Sequence, residues 1–296
     1  MILYDGNSNA NDYNRAVPSS PTPYDPTESL WNHVVQVRKA NGAADASGVY
    51  LGGGFILTAN HVSGSRYFIQ GLEYYLDTTF NGTGYKTVTN SSNQTIDLKV
   101  IKIASPLPAL DGIQMMSSSQ AATSSYSLNI GWGVGKGTPQ TTDPANQGWA
   151  WGTEAGTAAK RWGRNVTFSS SFTFNGTVGT YLGTAFNRGL FTGPYADYNN
   201  DVYSLTLGDS GGGLFQYVNG EWMLAGIGTD VSHFGSSYYD RDSVTAGDQP
   251  DQSYYMSMPA HSADVLRAIP EPELPWLLFL ACSAYLVLQR WRARPD

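Results

Sequence analysis

Short runs of apolar, β-branched and aromatic residues recur along most of this chain, separated by Gly, Asn, Ser and Thr. The clearest runs are 34–37, 49–51, 55–59, 67–69, 98–103, 128–132, 149–151, 166–174, 214–217, 222–227 and 254–258. Runs this short, closely spaced and without helical periodicity between them, favour an all-β sandwich or barrel. One short amphipathic helix is predicted after the last strand, over residues 261–269.

Changes in composition predict the domain organisation. An arm rich in Pro and Asn comes first, a folded domain with two halves follows, and an apolar tail ends the sequence. The predicted boundaries are 1–28 for the arm, 29–268 for the domain, about 29–110 and 125–260 for its halves, and 270–296 for the tail.

Charge and cysteine content exclude some classes of function. The net charge is −7 and basic residues cluster only at the end of the chain, so a nucleic-acid partner is not expected. The single cysteine, Cys282, lies in the apolar tail, which leaves the domain without a disulfide or a cysteine-based metal site. No metal and no cofactor is predicted.

The segment Gly208-Asp209-Ser210-Gly211-Gly212 carries the strongest chemical signal. Glycines on both sides allow Ser210 to sit in a tight turn with its hydroxyl exposed. The N–H groups of Gly208 and Ser210 would then form an oxyanion hole, where each donor typically contributes about 2.7–4 kcal/mol to the transition state. The alternative is an ordinary turn in a glycine-rich protein.

A serine hydroxyl needs a base, and two further segments offer the partners. His61 follows the apolar run 55–59, which places its imidazole at the end of a strand. Asp97 opens the apolar run 98–103, where a carboxylate is costly to bury unless it is paired. Together, His61 as base, Asp97 as its orienting group and Ser210 as nucleophile predict a catalytic triad.

The blocks Thr58-Ala59-Asn60-His61, Asp97-Leu98-Lys99-Val100-Ile101 and Gly208–Gly212, in this order, resemble the trypsin-like serine proteases of bacterial type. The resemblance covers roughly residues 30–268. It implies the chymotrypsin fold, with two antiparallel β-barrels and the active site between them. It also implies a serine endopeptidase that acts on protein or peptide substrates.

The same resemblance implies a substrate pocket. The family pattern places Ser204 at the pocket floor, and Gly226, Gly228 and Thr229 on the strand that binds substrate. A neutral floor argues against a strict preference for Arg or Lys. The chain departs from the family in having Gly213 where proline is usual, and in lacking an Ile-Val-Gly-Gly activation site. Asp209 is therefore interpreted as a structural turn residue.

The tail resembles a bacterial PEP-CTERM sorting segment, because Pro270-Glu271-Pro272 precedes the apolar run 274–288, and Arg290, Arg292 and Arg294 follow it. This resemblance implies an apolar anchor helix in the membrane, recognition by an exosortase-type enzyme, and export to the outer face of the membrane or beyond. The basic end favours a cytoplasmic C-terminus. No signal peptide is visible at the start of the sequence.

Three other functions remain open on the same fold. The chain can be an acyl hydrolase that does not cleave peptides, a non-catalytic binding module, or chiefly a component of a surface matrix. Filled triad positions and the oxyanion glycine argue against the binding module. Substrate tests separate a protease from an esterase.

Overall fold

The computed structural model describes residues 2–3, 25–120, 125–140, 148–151, 158–174, 177–186, 202–232, 238–240 and 251–270. The predicted anchor helix falls in 271–296 and most of the predicted arm falls in 4–24, so both lie outside the described residues.

The first half of the chain forms one antiparallel sheet. It is preceded by the strand β1 (Ile2–Leu3) and the helix α1 (Glu28–His33). The sheet contains seven strands: β2 (Val34–Arg38), β3 (Ala44–Gly52), β4 (Phe55–Thr58), β5 (Arg66–Ile69), β6 (Leu72–Tyr75), β7 (Tyr85–Thr89) and β8 (Thr95–Lys102). Their order across the sheet is β6-β5-β2-β3-β4-β8-β7, and an isolated bridge between Leu76 and Ile103 links the regions that follow β6 and β8.

The second half of the chain closes into a barrel. Its elements are β9 (Tyr126–Gly131), β10 (Lys136–Gln140), β11 (Gly148–Trp151), β12 (Arg161–Phe174), β13 (Thr177–Ala185), β14 (Tyr203–Ser204), β15 (Gly213–Val218), β16 (Glu221–Ser232), β17 (Tyr238–Asp240), β18 (Gln252–Ser257) and the helix α2 (Met258–Ala268). The barrel order is β12-β13-β18-β16-β15-β9. Strands β10, β11 and β17 form a small separate sheet, and β1 pairs with β14.

Three apolar clusters hold these layers together. One cluster, with Val35, Ile56 and Ile101, lies within the first sheet, and a second, with Leu182, Leu214 and Tyr255, lies within the barrel. The third joins both halves and α2, through residues such as Leu57, Ile130 and Val265. The junction between the two halves is therefore a packed interface, and loops from both sides meet at its edge.

The structure is mostly β, as predicted, and it is consistent with a chymotrypsin-like fold. Of the two predicted antiparallel β-barrels, the second is a closed barrel, whereas the first half forms a seven-stranded sheet whose described edge strands, β6 and β7, do not pair with each other. All eleven predicted runs overlap strands. The C-terminal helix begins earlier than predicted, at Met258, because Pro259 occupies the first helical turn, where its missing N–H has no cost.

The sequence reading missed the helix α1. Its N-cap is Thr27, whose Oγ1 accepts a hydrogen bond from the Leu30 N–H at 3.1 Å. Within the described ranges no helix combines the length and apolarity needed to cross a membrane.

Candidate active site

His61 lies in the turn that follows β4, beside the start of β8. Strands β4 and β8 pair with Thr58 opposite Lys99, so Asp97 lies level with the turn beyond β4. The His61 Nδ1 and Asp97 Oδ2 atoms are 2.9 Å apart, and the His61 backbone N–H donates to Asp97 Oδ1 at 3.1 Å. Asp97 thus contacts both the ring and the backbone of His61.

The charge environment of His61 favours its protonated form. The hydrogen bond to Asp97 raises the pKa of His61 above its ordinary value of 6.5, and partial burial opposes this rise. The negative charges of Asp97 and Asp230 add to the rise, and the positive charge of Lys99 counters it. The His61 side chain keeps 49% of its surface exposed, so a substrate can reach the ring.

Ser210 lies in the loop between β14 and β15, which turns sharply at two glycines. Gly208 has φ +89° and Gly211 has φ +85°, in the left-handed region that side chains disfavour. Ser210 is half-buried. In the described part of the chain, neither the Gly208 N–H nor the Ser210 N–H donates to a backbone carbonyl, so both remain able to bind a ligand oxygen.

Asp209 supports the Ser210 loop from inside. Its side chain is fully buried. Its Oδ1 accepts from the Gly133 N–H at 2.7 Å, and its Oδ2 accepts from the Thr206 N–H at 2.9 Å and from the Thr206 hydroxyl at 3.0 Å. These contacts join the Ser210 loop to the segment that follows β9, and the structural role of Asp209 stays a prediction.

Ser47, on β3, ties this loop to the first sheet. Its N–H donates to the Ser210 carbonyl at 2.8 Å, and its hydroxyl donates to the Gly208 carbonyl at 2.9 Å. Its own carbonyl accepts from the Thr58 hydroxyl at 2.7 Å. Because Thr58 ends the strand that leads to His61, Ser47 couples the loops of His61 and Ser210.

Of the three predicted triad residues, two are in direct contact and the third is linked to them indirectly. His61 and Asp97 are hydrogen-bonded directly. No hydrogen bond between the Ser210 hydroxyl and His61 is among those of the described residues, and their loops meet instead through Ser47. A Cβ on Gly211, the residue after Ser210, would lie 2.1 Å from the Thr58 hydroxyl, which shows how closely the two loops approach.

Three of the predicted substrate-binding residues follow one another along β16. Gly228 accepts from the Gly211 N–H at 2.7 Å and donates to the Gly212 carbonyl at 2.8 Å. Thr229 is buried, and its hydroxyl donates to the Tyr254 carbonyl at 3.2 Å. Gly226 lies opposite Leu214 and Ser257 in the barrel.

The fourth, Ser204, lies on β14 and is fully buried, with its hydroxyl 3.3 Å from that of Ser253. Its role as the pocket floor stays a prediction.

The sequence reading missed three residues that shape this site, namely Ser47, Lys99 and Asp230. Nothing in the local sequence distinguishes Ser47 or Asp230. Lys99 could have been noticed in the sequence, because a charged residue within an apolar strand is costly to bury unless its charge finds partners.

The chemical groups that the chain itself brings to this site are an imidazole, a carboxylate and a hydroxyl. In the parts of the chain that the structure describes, no three His, Cys, Asp or Glu side chains lie close enough together to hold a metal ion.

A comparison with protein families gives the class of the molecule. The model of the family described as Trypsin matches residues 21–183, which is more than half of the chain, so the chain belongs to this family. It is a serine-type peptidase, a hydrolase that acts on proteins or peptides. The matched stretch contains His61 and Asp97 and ends before Ser210. No curated protein matches the chain significantly.

Proposed function

We propose that this protein is a serine endopeptidase that cleaves peptide bonds through Ser210, His61 and Asp97 and passes through an acyl-enzyme. The observation that carries the proposal is the pairing of His61 with Asp97 at 2.9 Å, beside the tight loop of Ser210. The two antiparallel halves provide these loops from opposite sides, as in the chymotrypsin fold, and this architecture supports the proposal.

The pairing of His61 with Asp97 determines which ring nitrogen acts as the base. A carboxylate only accepts hydrogen bonds, so Nδ1 carries the ring hydrogen and donates it to Asp97. This leaves the lone pair of Nε2 available for the Ser210 proton. Asp97 also stabilises the imidazolium that forms when the proton arrives.

The reaction then proceeds in two stages, acylation and deacylation of Ser210. As the Ser210 Oγ–carbon bond forms, the hydroxyl proton moves to His61 Nε2, and it is delivered to the leaving nitrogen as the scissile C–N bond breaks. In the second stage water gives a proton to His61 and its oxygen attacks the acyl carbon; the proton then moves to Ser210 Oγ as the bond between Oγ and the acyl carbon breaks and the carboxylic acid product leaves. These steps are the general mechanism of hydrolases that use a Ser-His-Asp triad.

The N–H groups of Gly208 and Ser210 are proposed to hold the oxyanion of each tetrahedral intermediate. Their freedom from backbone carbonyls within the described chain supports this role. Ser47 anchors the Gly208 carbonyl, which fixes the Gly208–Asp209 peptide between the two proposed donors, and the positive φ of Gly208 sets the direction of the chain at this point. Donors arranged in advance need no reorganisation as charge develops.

We propose Ser204 as the floor of the primary pocket, with Gly226, Gly228 and Thr229 on the strand beside the bound peptide. The Ser204 hydroxyl lies 3.3 Å from the Ser253 hydroxyl, so an uncharged polar group is its neighbour. A serine at the floor favours uncharged side chains before the cleaved bond, because serine offers a buried cation no opposite charge.

We propose that the protein is exported and sorted to the membrane through residues 270–296. The support is the sequence order of Pro270-Glu271-Pro272, an apolar run and terminal arginines. Fractionation of the producing cells, with wild type beside a chain whose residues 274–288 are made polar, tests this. Intact wild-type chain in the cytosol would refute it.

Digestion of unfolded casein by the full chain tests the catalytic proposal, with products mapped by mass spectrometry. We expect cleavage by wild type, none above background by Ser210→Ala, and a kcat about 10⁴-fold lower for Asp97→Asn, because the wrong tautomer then faces Ser210. Glu221→Gln, at an exposed position at the start of β16, is the matched control and should cleave normally.

Two results would contradict the proposal. Equal cleavage by wild type and Ser210→Ala would assign the activity to another nucleophile. Hydrolysis of an activated ester by folded wild type, with no cleavage of casein, would favour the non-proteolytic acyl hydrolase.

A further inference from the structure

Lys99 is a buried cation in the strand that carries Asp97. It lies two residues after Asp97 on β8, so the two side chains emerge on the same face of the strand. Only 8% of Lys99 is exposed. Lysine is rarely so buried unless its ammonium group is satisfied, because an unpaired charge in the interior is costly.

The Lys99 ammonium group binds the two residues that flank His61. Nζ donates to the Asn60 carbonyl at 3.3 Å and also to the Val62 carbonyl. The Tyr85 ring, whose centroid lies 5.2 Å from Nζ, covers it from β7. Lys99 thus hydrogen-bonds to the turn on both sides of His61, and Asp97 hydrogen-bonds to the ring and the N–H of His61 itself.

A second contact anchors the same turn. The Thr87 hydroxyl, on β7, donates to the Asn60 side-chain oxygen at 2.9 Å. The Asn60–Val62 turn is therefore bound from β7 and β8, and none of these contacts uses the imidazole Nε2. The ring can be held in place and still present this nitrogen to Ser210.

The charge of Lys99 also acts on His61. The carboxylates of Asp97 and Asp230 favour the protonated imidazole, and the Lys99 ammonium group disfavours it. Burial lowers the pKa of Lys99 itself, and Asp97 and Asp45 partly offset that effect. Among these groups Lys99 is the one whose charge favours the neutral ring that a general base needs.

We propose that Lys99 is a positioning residue of the catalytic machinery, which clasps the Asn60–Val62 turn and biases His61 towards its neutral, proton-accepting form. The proposal rests on the proposed serine peptidase function. It assigns two effects to one side chain, a geometric effect through the two carbonyls and an electrostatic effect through its charge.

Replacement of Lys99 by Met tests both effects, since Met has similar length and no charge. With a fluorogenic peptide, we expect kcat to fall by roughly 10- to 100-fold with little change in KM. Displacing a catalytic group by about 1 Å can lower the rate of reaction by a factor of this size. We also expect the acid limb of kcat/KM to move to higher pH. Lys99→Arg should restore the wild-type acid limb, and Lys86→Met, an exposed lysine on β7, should match wild type.

NMR titration of His61 separates this proposal from the proposed function. The chain has four histidines, and His61→Gln identifies the signal of His61. The pKa of His61 should rise in Lys99→Met, whether or not the protein cleaves peptides. If the wild-type protein cleaves no peptide, the proposed peptidase function is refuted, but the proposed effect of Lys99 on His61 is not. An unchanged pKa of His61 in folded Lys99→Met would overturn the role of Lys99. So would a pKa of His61 in Lys99→Arg that rises as much as in Lys99→Met, because Arg keeps the positive charge.

Discussion

The Ser47 hydroxyl donates to the Gly208 carbonyl at 2.9 Å and so joins the first sheet to the loop that carries Ser210. The same oxygen accepts a hydrogen bond from the Trp132 N–H at 2.9 Å. Ser47 is fully buried, so water cannot replace either bond. One hydroxyl therefore links three separate segments of the chain at the candidate active site.

Ser47→Ala should destabilise the fold and slow catalysis. The Gly208 carbonyl and the Trp132 N–H both lose their partner, and an unsatisfied buried group costs about 1–3 kcal/mol. Because Gly208 belongs to the proposed oxyanion hole, kcat should fall more than KM changes. Urea unfolding and steady-state kinetics measure the two effects. Ser92→Ala, in an exposed turn, is the control, and identical results for both variants would contradict the linkage.

The pH dependence of activity should follow His61. The base works only when neutral, so kcat/KM should fall as pH drops through the His61 pKa, and this acid limb should lie above pH 6.5 because Asp97 raises the pKa of His61. Rates between pH 5 and pH 9 with one peptide substrate measure it. An acid limb below pH 6.5 would contradict the dominance of Asp97.

The same pKa shift predicts how the stability of the fold depends on pH. A histidine whose folded pKa is raised contributes stability that is fully present below the unfolded value, and this contribution is lost as pH rises through the folded pKa. The free-energy difference between wild type and His61→Gln should therefore shrink as pH rises above 6.5. A difference that grows over that range would have the wrong sign.

Gly211→Ala should be far more harmful than Gly220→Ala, although both glycines have positive φ, +85° and +92°. A Cβ on Gly211 would lie 2.1 Å from the Ser47 carbonyl oxygen and from the Thr58 hydroxyl, and a Cβ on Gly220 would meet nothing within 4 Å. Gly220→Ala should show only the backbone strain of about 1–3 kcal/mol and keep its activity. Thermal unfolding and casein cleavage compare the two, and equal losses would refute the close approach at Gly211.

Much of the architecture was predictable because local patterns determine it. The alternation of apolar residues with turns is a short-range property, so each of the eleven predicted runs overlaps a strand. Strands β6 and β7 escaped prediction because they are short and largely exposed, as Leu72 and Tyr85 illustrate. The helix α1 escaped because six residues carry too little periodicity.

The sequence alone determined which chemistry is available, since the motifs around His61, Asp97 and Ser210 can be read from neighbouring residues. It did not determine what supports them. Ser47 is far from Ser210 in the chain, and Lys99 contacts the turn of His61 only because β4 and β8 pair with Thr58 opposite Lys99. Such contacts depend on the register and packing of whole sheets, so only the tertiary structure decided them.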